Sequence, residues 1–159
     1  MKARVYVETT IPSYLTAWPS RDLVRAAHQQ ITREWWEKRR TQFDLFISQV
    51  VLAECQAGDA TAASQRLAAI QDLPLLEQTE DATKPAQELV ARVPLPERAA
   101  VDALHIALAA LHGMDYLLTW NCTHIANAVF RDPIESICRA TGYEPPAICT
   151  PEELLSEGD

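Results

Sequence analysis

Apolar positions along the chain switch repeatedly between a strand-like run and a helix-like period. Arg4-Val5-Tyr6-Val7 is a short β-branched and aromatic run closed by Glu8-Thr9-Thr10, which predicts a buried first strand. Pro12 biases Ile11 away from helix, so the strand is expected to empty into a tight turn at Glu8 to Thr10. Ser20 or Asp22 can cap a long helix reaching about Arg40, with Leu23, Ala27, Ile31 and Trp35 as its apolar stripe. Phe43 to Ser48 predicts a second strand, and Ser48 then caps a helix over 49–57 that Gly58 stops. Helices follow over 60–73, 81–93 and 97–112, with a short strand at 75–77. The run 115–119 is a strand, 122–130 and 133–141 are helices, and 147–149 is a last strand before the Pro151-Glu-Glu helix start.

Strands alternating with helices predict an α/β fold. Its central, mostly parallel sheet of four to five strands is covered on both faces in a three-layer α/β/α sandwich. The 159 residues suit one domain spanning 1–159, and no repeat or linker divides them. No stretch approaches the ~18 apolar residues of a membrane span, and no secretory leader is legible, so a cytoplasmic protein is expected. The four cysteines, Cys55, Cys122, Cys138 and Cys149, lack paired spacing and read as packing thiols, not a disulfide or zinc framework. Cys122 and His124 lie only two apart, too little for a zinc site by themselves.

Charge adds a contrast that the average hides. The chain carries 14 Lys and Arg against 22 Asp and Glu, a formal net charge of −8. Yet residues 1–40 hold eight bases and four acids, a net of +4. An acidic protein with a basic first quarter is compatible with a phosphate backbone or a docking partner along that quarter.

In open α/β sheets ligands bind beyond the carboxyl ends of the strands. Glu8-Thr9-Thr10 follows the first strand, and Thr119-Trp120-Asn121 follows the strand at 115–119. Two further acids stand on helix faces that are otherwise apolar. Glu54 shares its face with Val50, Val51 and Ala57, and Asp102 shares a stripe with Ile106 and Ala109, with His105 one turn on. Each acid alone is compatible with an ordinary Arg or backbone partner. Together, Glu8, Glu54, Asp102 and Asn121 start from places that can face one edge of the sheet. Two carboxylates ~4 Å apart repel by about 4 kcal/mol at an effective dielectric of 20, so a convergent set calls for a cation. Oxygen donors suit Mg²⁺ or Mn²⁺ better than Zn²⁺.

The runs VYVETTIPSYL, LAECQAGD and AAVDALHIALAALHGMDYLLTWNCTHIAN resemble the PIN-domain family, and within it the VapC-type toxins of bacterial toxin–antitoxin pairs. The resemblance extends from Val5 to the closing ICTPEELL. It implies a metal-dependent endoribonuclease that hydrolyses RNA phosphodiesters with a metal-activated water. It also implies a homodimer silenced by an antitoxin protein. Glu8 matches the family's first acid, Glu54 the second and Asp102 the third, and Asn121 falls near the fourth with Thr119 in the Thr/Ser position before it. These four are the expected catalytic and metal-holding residues, with Mg²⁺ or Mn²⁺ as cofactor. Thr9, Thr119 and His105 are candidates for orienting water or substrate, and Trp120 for stacking a nucleotide.

Two departures mark this chain. The family's first acid is usually Asp, and its fourth position commonly carries Asp where this chain has Asn121, with His124 where a later acid could stand. They motivate an alternative, a PIN-like module that retains RNA or protein binding after losing catalysis. A DNA nuclease of the same fold is a third possibility, since no residue chooses between the sugars.

Overall fold

The computed structural model describes residues 1–156. Four strands, β1 (Ala3–Val7), β2 (Phe43–Phe46), β3 (Tyr116–Leu118) and β4 (Ala147–Cys149), form one sheet in the order β2-β1-β3-β4. Every pairing is parallel, with Val5 opposite Leu45 on one side and Tyr116 on the other. Parallel neighbours need long crossovers, and the helices supply them. β1 runs through α1 (Thr10–Thr16) and α2 (Leu23–Lys38) to β2. The next crossover holds α3 (Gln49–Gln56), α4 (Ala60–Ile70), α5 (Glu80–Arg92) and α6 (Ala100–Leu111). α7 (Ala128–Ala140) joins β3 to β4. The helices form two groups, α1 with α2 and α4 and α3 with α4, and α5 with α6 and α7, flanking the sheet as expected of three layers.

The centre of the sheet is dry. Val5, Tyr6, Val7, Leu117 and Leu118 are fully buried, and Ile106 to Ala110 of α6 pack into the same core. A near-continuous apolar run is what a parallel strand covered on both faces requires. Since β1 leads outward to β2 on one side and the chain later returns to place β3 on its other side, the topological switch lies between β1 and β3. Glu8 and Thr119 follow those two strands directly. Their amides extend the ladder, Glu8 N to Leu118 O at 3.1 Å and Thr119 N to Cys149 O at 3.0 Å.

Four expectations need correction. Glu8 to Thr10 does not open a simple turn, because helix α1 starts at Thr10 and includes Pro12. Pro12 stands in the first turn, where amides have no intrahelical acceptor, so its missing N–H costs nothing. The expected stripe on α2 holds at its C-terminal end, where Trp35 is fully buried and Ile31 partly so, and fails at Leu23 and Ala27, which are exposed. Gln29, Thr32 and Trp35 are its buried residues, while Leu23 is 86% exposed. Gln29 is recruited by polar bonding: its amide accepts from Ser20 N and donates to Trp18 O. The expected strand at 75–77 shrinks to a single parallel bridge between Ile47 and Leu75. The two helices expected around Pro133 are one helix, α7, preceded by turns. Asn127 caps it by accepting from Val129 N, and Pro133 removes only the bond to the carbonyl of Val129, an exposed residue.

Candidate metal-binding site at the switch point

Glu8 leaves β1 at the sheet edge and is only 3% exposed. One of its oxygens, Oε1, accepts three hydrogen bonds: from Thr10 N at 3.1 Å, from the Thr10 hydroxyl at 2.5 Å and from the Thr119 hydroxyl at 2.6 Å. Thr119 in turn accepts from Asn121 N at 2.9 Å, so β3 and its following turn are tied to the carboxylate. A buried carboxylate is held by paired charge or several donors. Among the described residues no Lys, Arg or His forms an ion pair with Glu8. Its neutral donors all converge on one oxygen, and the other accepts no hydrogen bond from the described residues.

Glu54 repeats the arrangement from α3. The helix is capped by Ser48, whose side chain accepts from Val51 N, and Glu54 sits in its last turn. An acid there opposes the helix dipole. Arg66 of α4 offsets this by donating to the carbonyls of Cys55 and Ala57 at the helix end. Glu54 Oε1 accepts from the Thr9 hydroxyl and pairs with His105 Nε2, both at 2.6 Å. Burial raises the Glu54 carboxyl, but the hydrogen bonds from His105 and Thr9 outweigh it, and its pKa lies below the ordinary value. Its Oε2 also has no hydrogen-bond partner among the described residues. Glu8, Glu54 and His105 bring ligand atoms within 4.8 Å of one another.

His105 is fully buried on α6, and both ring nitrogens are engaged. Nε2 meets Glu54, and Nδ1 lies 2.6 Å from the Tyr6 hydroxyl, which is 2.7 Å from Ser48 Oγ. The free donors of the compact group are therefore carboxylate oxygens. Carboxylate oxygens are a donor set that fits Mg²⁺ or Mn²⁺, which take oxygen ligands and keep several waters.

Asp102 and Asn121, expected beside these acids, have other partners. Asp102 lies in the first turn of α6, where the helix dipole favours an acid, and its Oδ2 is 2.9 Å from His124 Nδ1. It stands outside the group of ligand atoms that Glu8, Glu54 and His105 form. Asn121 Oδ1 accepts from His124 N at 3.0 Å, and its backbone carbonyl accepts from Ile125 and Ala126. The amide thus organises the turn that presents His124 to Asp102.

Trp120 is a correction. Its indole, 7% exposed, stacks on His28 with ring centres 4.0 Å apart and lies nearly parallel to Tyr14 at 6.2 Å. Its Nε1 donates to Thr32 and its backbone amide to the Thr10 hydroxyl. The ring faces already pack against protein, so Trp120 couples α2 to the Glu8 turn and offers no open face to a base. Thr9, Thr119 and His105 spend their polar atoms holding the carboxylates in place. Three participants escaped the sequence reading: Tyr6, Ser48 and Thr10. The available signal for Tyr6 was its position two before Glu8, which puts both on one face of β1.

Three of the four thiols, Cys55, Cys138 and Cys149, are buried packing groups, and Cys122 is exposed. Burial pushes Cys55 up to about 11 and Cys149 up to about 12, and raises Cys138 and Cys122 as well. None is activated as a nucleophile.

A three-layer α/β fold with its carboxylates at the switch between β1 and β3 is the architecture of a family, and sequence comparison names it. The PIN-domain family model matches residues 5–121, and the chain belongs to that family. No curated protein matches the chain in sequence. Among solved structures it is similar to a chain of VapBC2 from Rickettsia felis, determined bound to a DNA fragment from their promoter. The match has a TM-score of 0.59 and 15% identity, and covers 92% of this chain and 98% of the other, a likeness of fold. No helix among the described residues is long and apolar enough to cross a membrane.

Proposed function

We propose that this protein is a Mg²⁺- or Mn²⁺-dependent endoribonuclease, the toxin of a toxin–antitoxin pair. The observation that carries the reading is the pair Glu8 and Glu54. Each has one oxygen saturated by neutral or imidazole donors and one left over, and neither carboxylate is paired with Lys or Arg among the described residues. Glu8 and Glu54 would hold the ion directly, and Asp102 would reach it through water, with Asn121 assisting from the turn that carries His124. When bound, a divalent ion supplies water activation and charge neutralisation at the phosphate.

The protein's part is preorganisation. Thr10 and Thr119 fix Glu8, and Thr9 and His105 fix Glu54, so neither carboxylate has to reorganise as charge develops on the phosphate. Exposed Arg21 and Arg25 on and before α2 offer charge to an RNA backbone or to an acidic partner segment. Membership of the PIN family supports the nuclease reading, and the likeness to the VapBC2 chain supports an antitoxin partner; a homodimer belongs to the same proposal.

The test is cleavage of structured RNAs with Mn²⁺ or Mg²⁺, with EDTA and with single-stranded DNA as parallel arms. Metal-dependent RNA cleavage abolished by EDTA is expected. Cleavage of DNA alone would redirect the substrate assignment. A second reading, a PIN module that binds without cutting, rests on the engagement of Asp102 and Asn121 with His124. Absence of both Mn²⁺ uptake and cleavage would establish it.

A further inference from the structure

A chain of buried hydrogen bonds runs behind the site and closes on itself. Ser48 caps α3, its Oγ meets the Tyr6 hydroxyl of β1, Tyr6 meets His105 Nδ1 of α6, and His105 Nε2 returns to Glu54 on α3. Tyr6, Ser48 and His105 are all fully buried. Each link carries one proton, so the links must share a direction. Glu54 Oε1 already accepts from Thr9, and as a carboxylate oxygen it accepts from His105 too, which puts a proton on Nε2. In a neutral imidazole Nδ1 is then an acceptor, Tyr6 must donate to it, and Ser48 must donate to Tyr6.

We propose that Tyr6 is a positioning residue for the metal site. Its hydroxyl locks His105 in the Nε2–H tautomer, and His105 thereby holds Glu54 with Oε1 occupied and Oε2 presented to the ion. The inference rests on the metal-site reading above. The physical need is specific. The terminal torsion of Glu is broad, so a carboxylate with one weakly held oxygen rotates freely. Two donors on the same oxygen remove that freedom. Without the hydroxyl, the proton can move to Nδ1 and leave a lone pair on Nε2 facing Glu54 Oε1.

Long-range ¹H–¹⁵N correlation spectra of the metal-free protein read the tautomer directly, and Mn²⁺ titration reads the consequence. The wild-type ring is expected as Nε2–H, and Tyr6→Phe as a mixture with Mn²⁺ affinity reduced about tenfold or more, the scale of lost outer partners. Ser48→Ala removes a helix cap and lowers the melting temperature. Because Tyr6 then has His105 as its remaining acceptor, the tautomer persists and affinity stays within about twofold, well short of the loss of an outer partner. Tracking of affinity with melting temperature across these two variants would mean a purely structural network and would overturn the proposal. So would an Nδ1–H or doubly protonated ring in the wild type.

If Tyr6→Phe does not fold, His105→Gln and His105→Asn replace it. Gln carries its own N–H at the reach of Nε2 and is expected to retain affinity, whereas Asn reaches only toward Tyr6 and is expected to lose it; equal loss in both would overturn the lock. A wild-type protein that takes up no Mn²⁺ sinks the metal reading, while the tautomer spectra still decide on the lock.

Discussion

The two sides of the site contain similar residue types and treat them differently. On one side Glu8 and Glu54 each receive two or three donors on a single oxygen, from Thr10, Thr119, Thr9 and His105. On the other, Asp102 is joined to His124, and Asn121 is spent on the turn that positions His124. The difference teaches that a carboxylate's presence in a cleft says less than where its lone pairs go. Both sides leave a second carboxylate oxygen without a hydrogen bond among the described residues; they differ in that threonine hydroxyls fix Glu8 and Glu54, whereas Asp102 is met by His124 alone.

The largest expected effect breaks the first side. Glu8→Gln should reduce metal-dependent cleavage by about a hundredfold or more, roughly 2.7 kcal/mol in the barrier, and should abolish Mn²⁺ uptake at sub-millimolar concentration. Its melting temperature without metal should hold or rise, because the buried charge is removed while an amide oxygen can still accept from Thr10 and Thr119. A collapse of the fold with cleavage intact would reverse the roles assigned to the two sides. Asp102→Asn tests the other side. Cleavage should again fall by orders of magnitude, but Mn²⁺ affinity should fall less than in Glu8→Gln, as suits a residue acting through water. Equal losses of affinity would erase the distinction between the sides.

Thr119→Val sharpens it further. The substitution strips a fully buried hydroxyl from both Glu8 and Asn121 N, and should cost about 1–3 kcal/mol in chemical denaturation. A smaller effect is expected from His124→Ala. Freed from its partner, Asp102 should strengthen Mn²⁺ binding by a few-fold, at most about 1 kcal/mol, with little change in melting temperature because the pair is partly exposed.

The pH dependence of stability separates the same regions. Glu54 lies below its ordinary pKa, so its contribution is present at neutral pH and is lost as the pH falls through that lowered value. Tyr6 and the thiols are raised, so the unfolded chain gives up protons first on the alkaline side. Stability should fall as the pH passes the ordinary values of 9.0 for Cys and 10.0 for Tyr. Thermal melts across pH 3–11 check both limbs. In Tyr6→Phe the alkaline limb should lose the part that begins near pH 10 and keep the part that begins near 9.

Much of this was legible in the residues. β1 and the helix cap at Ser48 follow from β-branched runs and capping chemistry, which are local. Glu54 and Asp102 stood out because a charge on an apolar helical face is costly and therefore informative. The burial of Gln29 and Thr32 on α2 was not legible, because it rests on bonds to Trp18, Ser20 and Trp120, partners set by tertiary packing. Trp120 read as an open aromatic for the same reason: its stacking partner His28 lies 92 positions away in sequence.

Sequence by itself determined the order of elements, the parallel sheet and the acids that belong near its carboxyl edge. Periodicity, caps and the cost of burying charge act within a turn or a strand, so they leave their mark on neighbouring residues. Only the tertiary structure decided how the lone pairs are shared: that Thr10 and Thr119 load one oxygen of Glu8, that His105 turns its ring toward Glu54 with Tyr6 behind it, and that His124 answers Asp102. Hydrogen bonds are directional and reach ~3 Å, so their partners are chosen by where four strands and seven helices come to rest. The chain's net charge of −8 is thus a poor guide to its partner. A few of those charges, brought together as Glu8 and Glu54 beside His105, say far more.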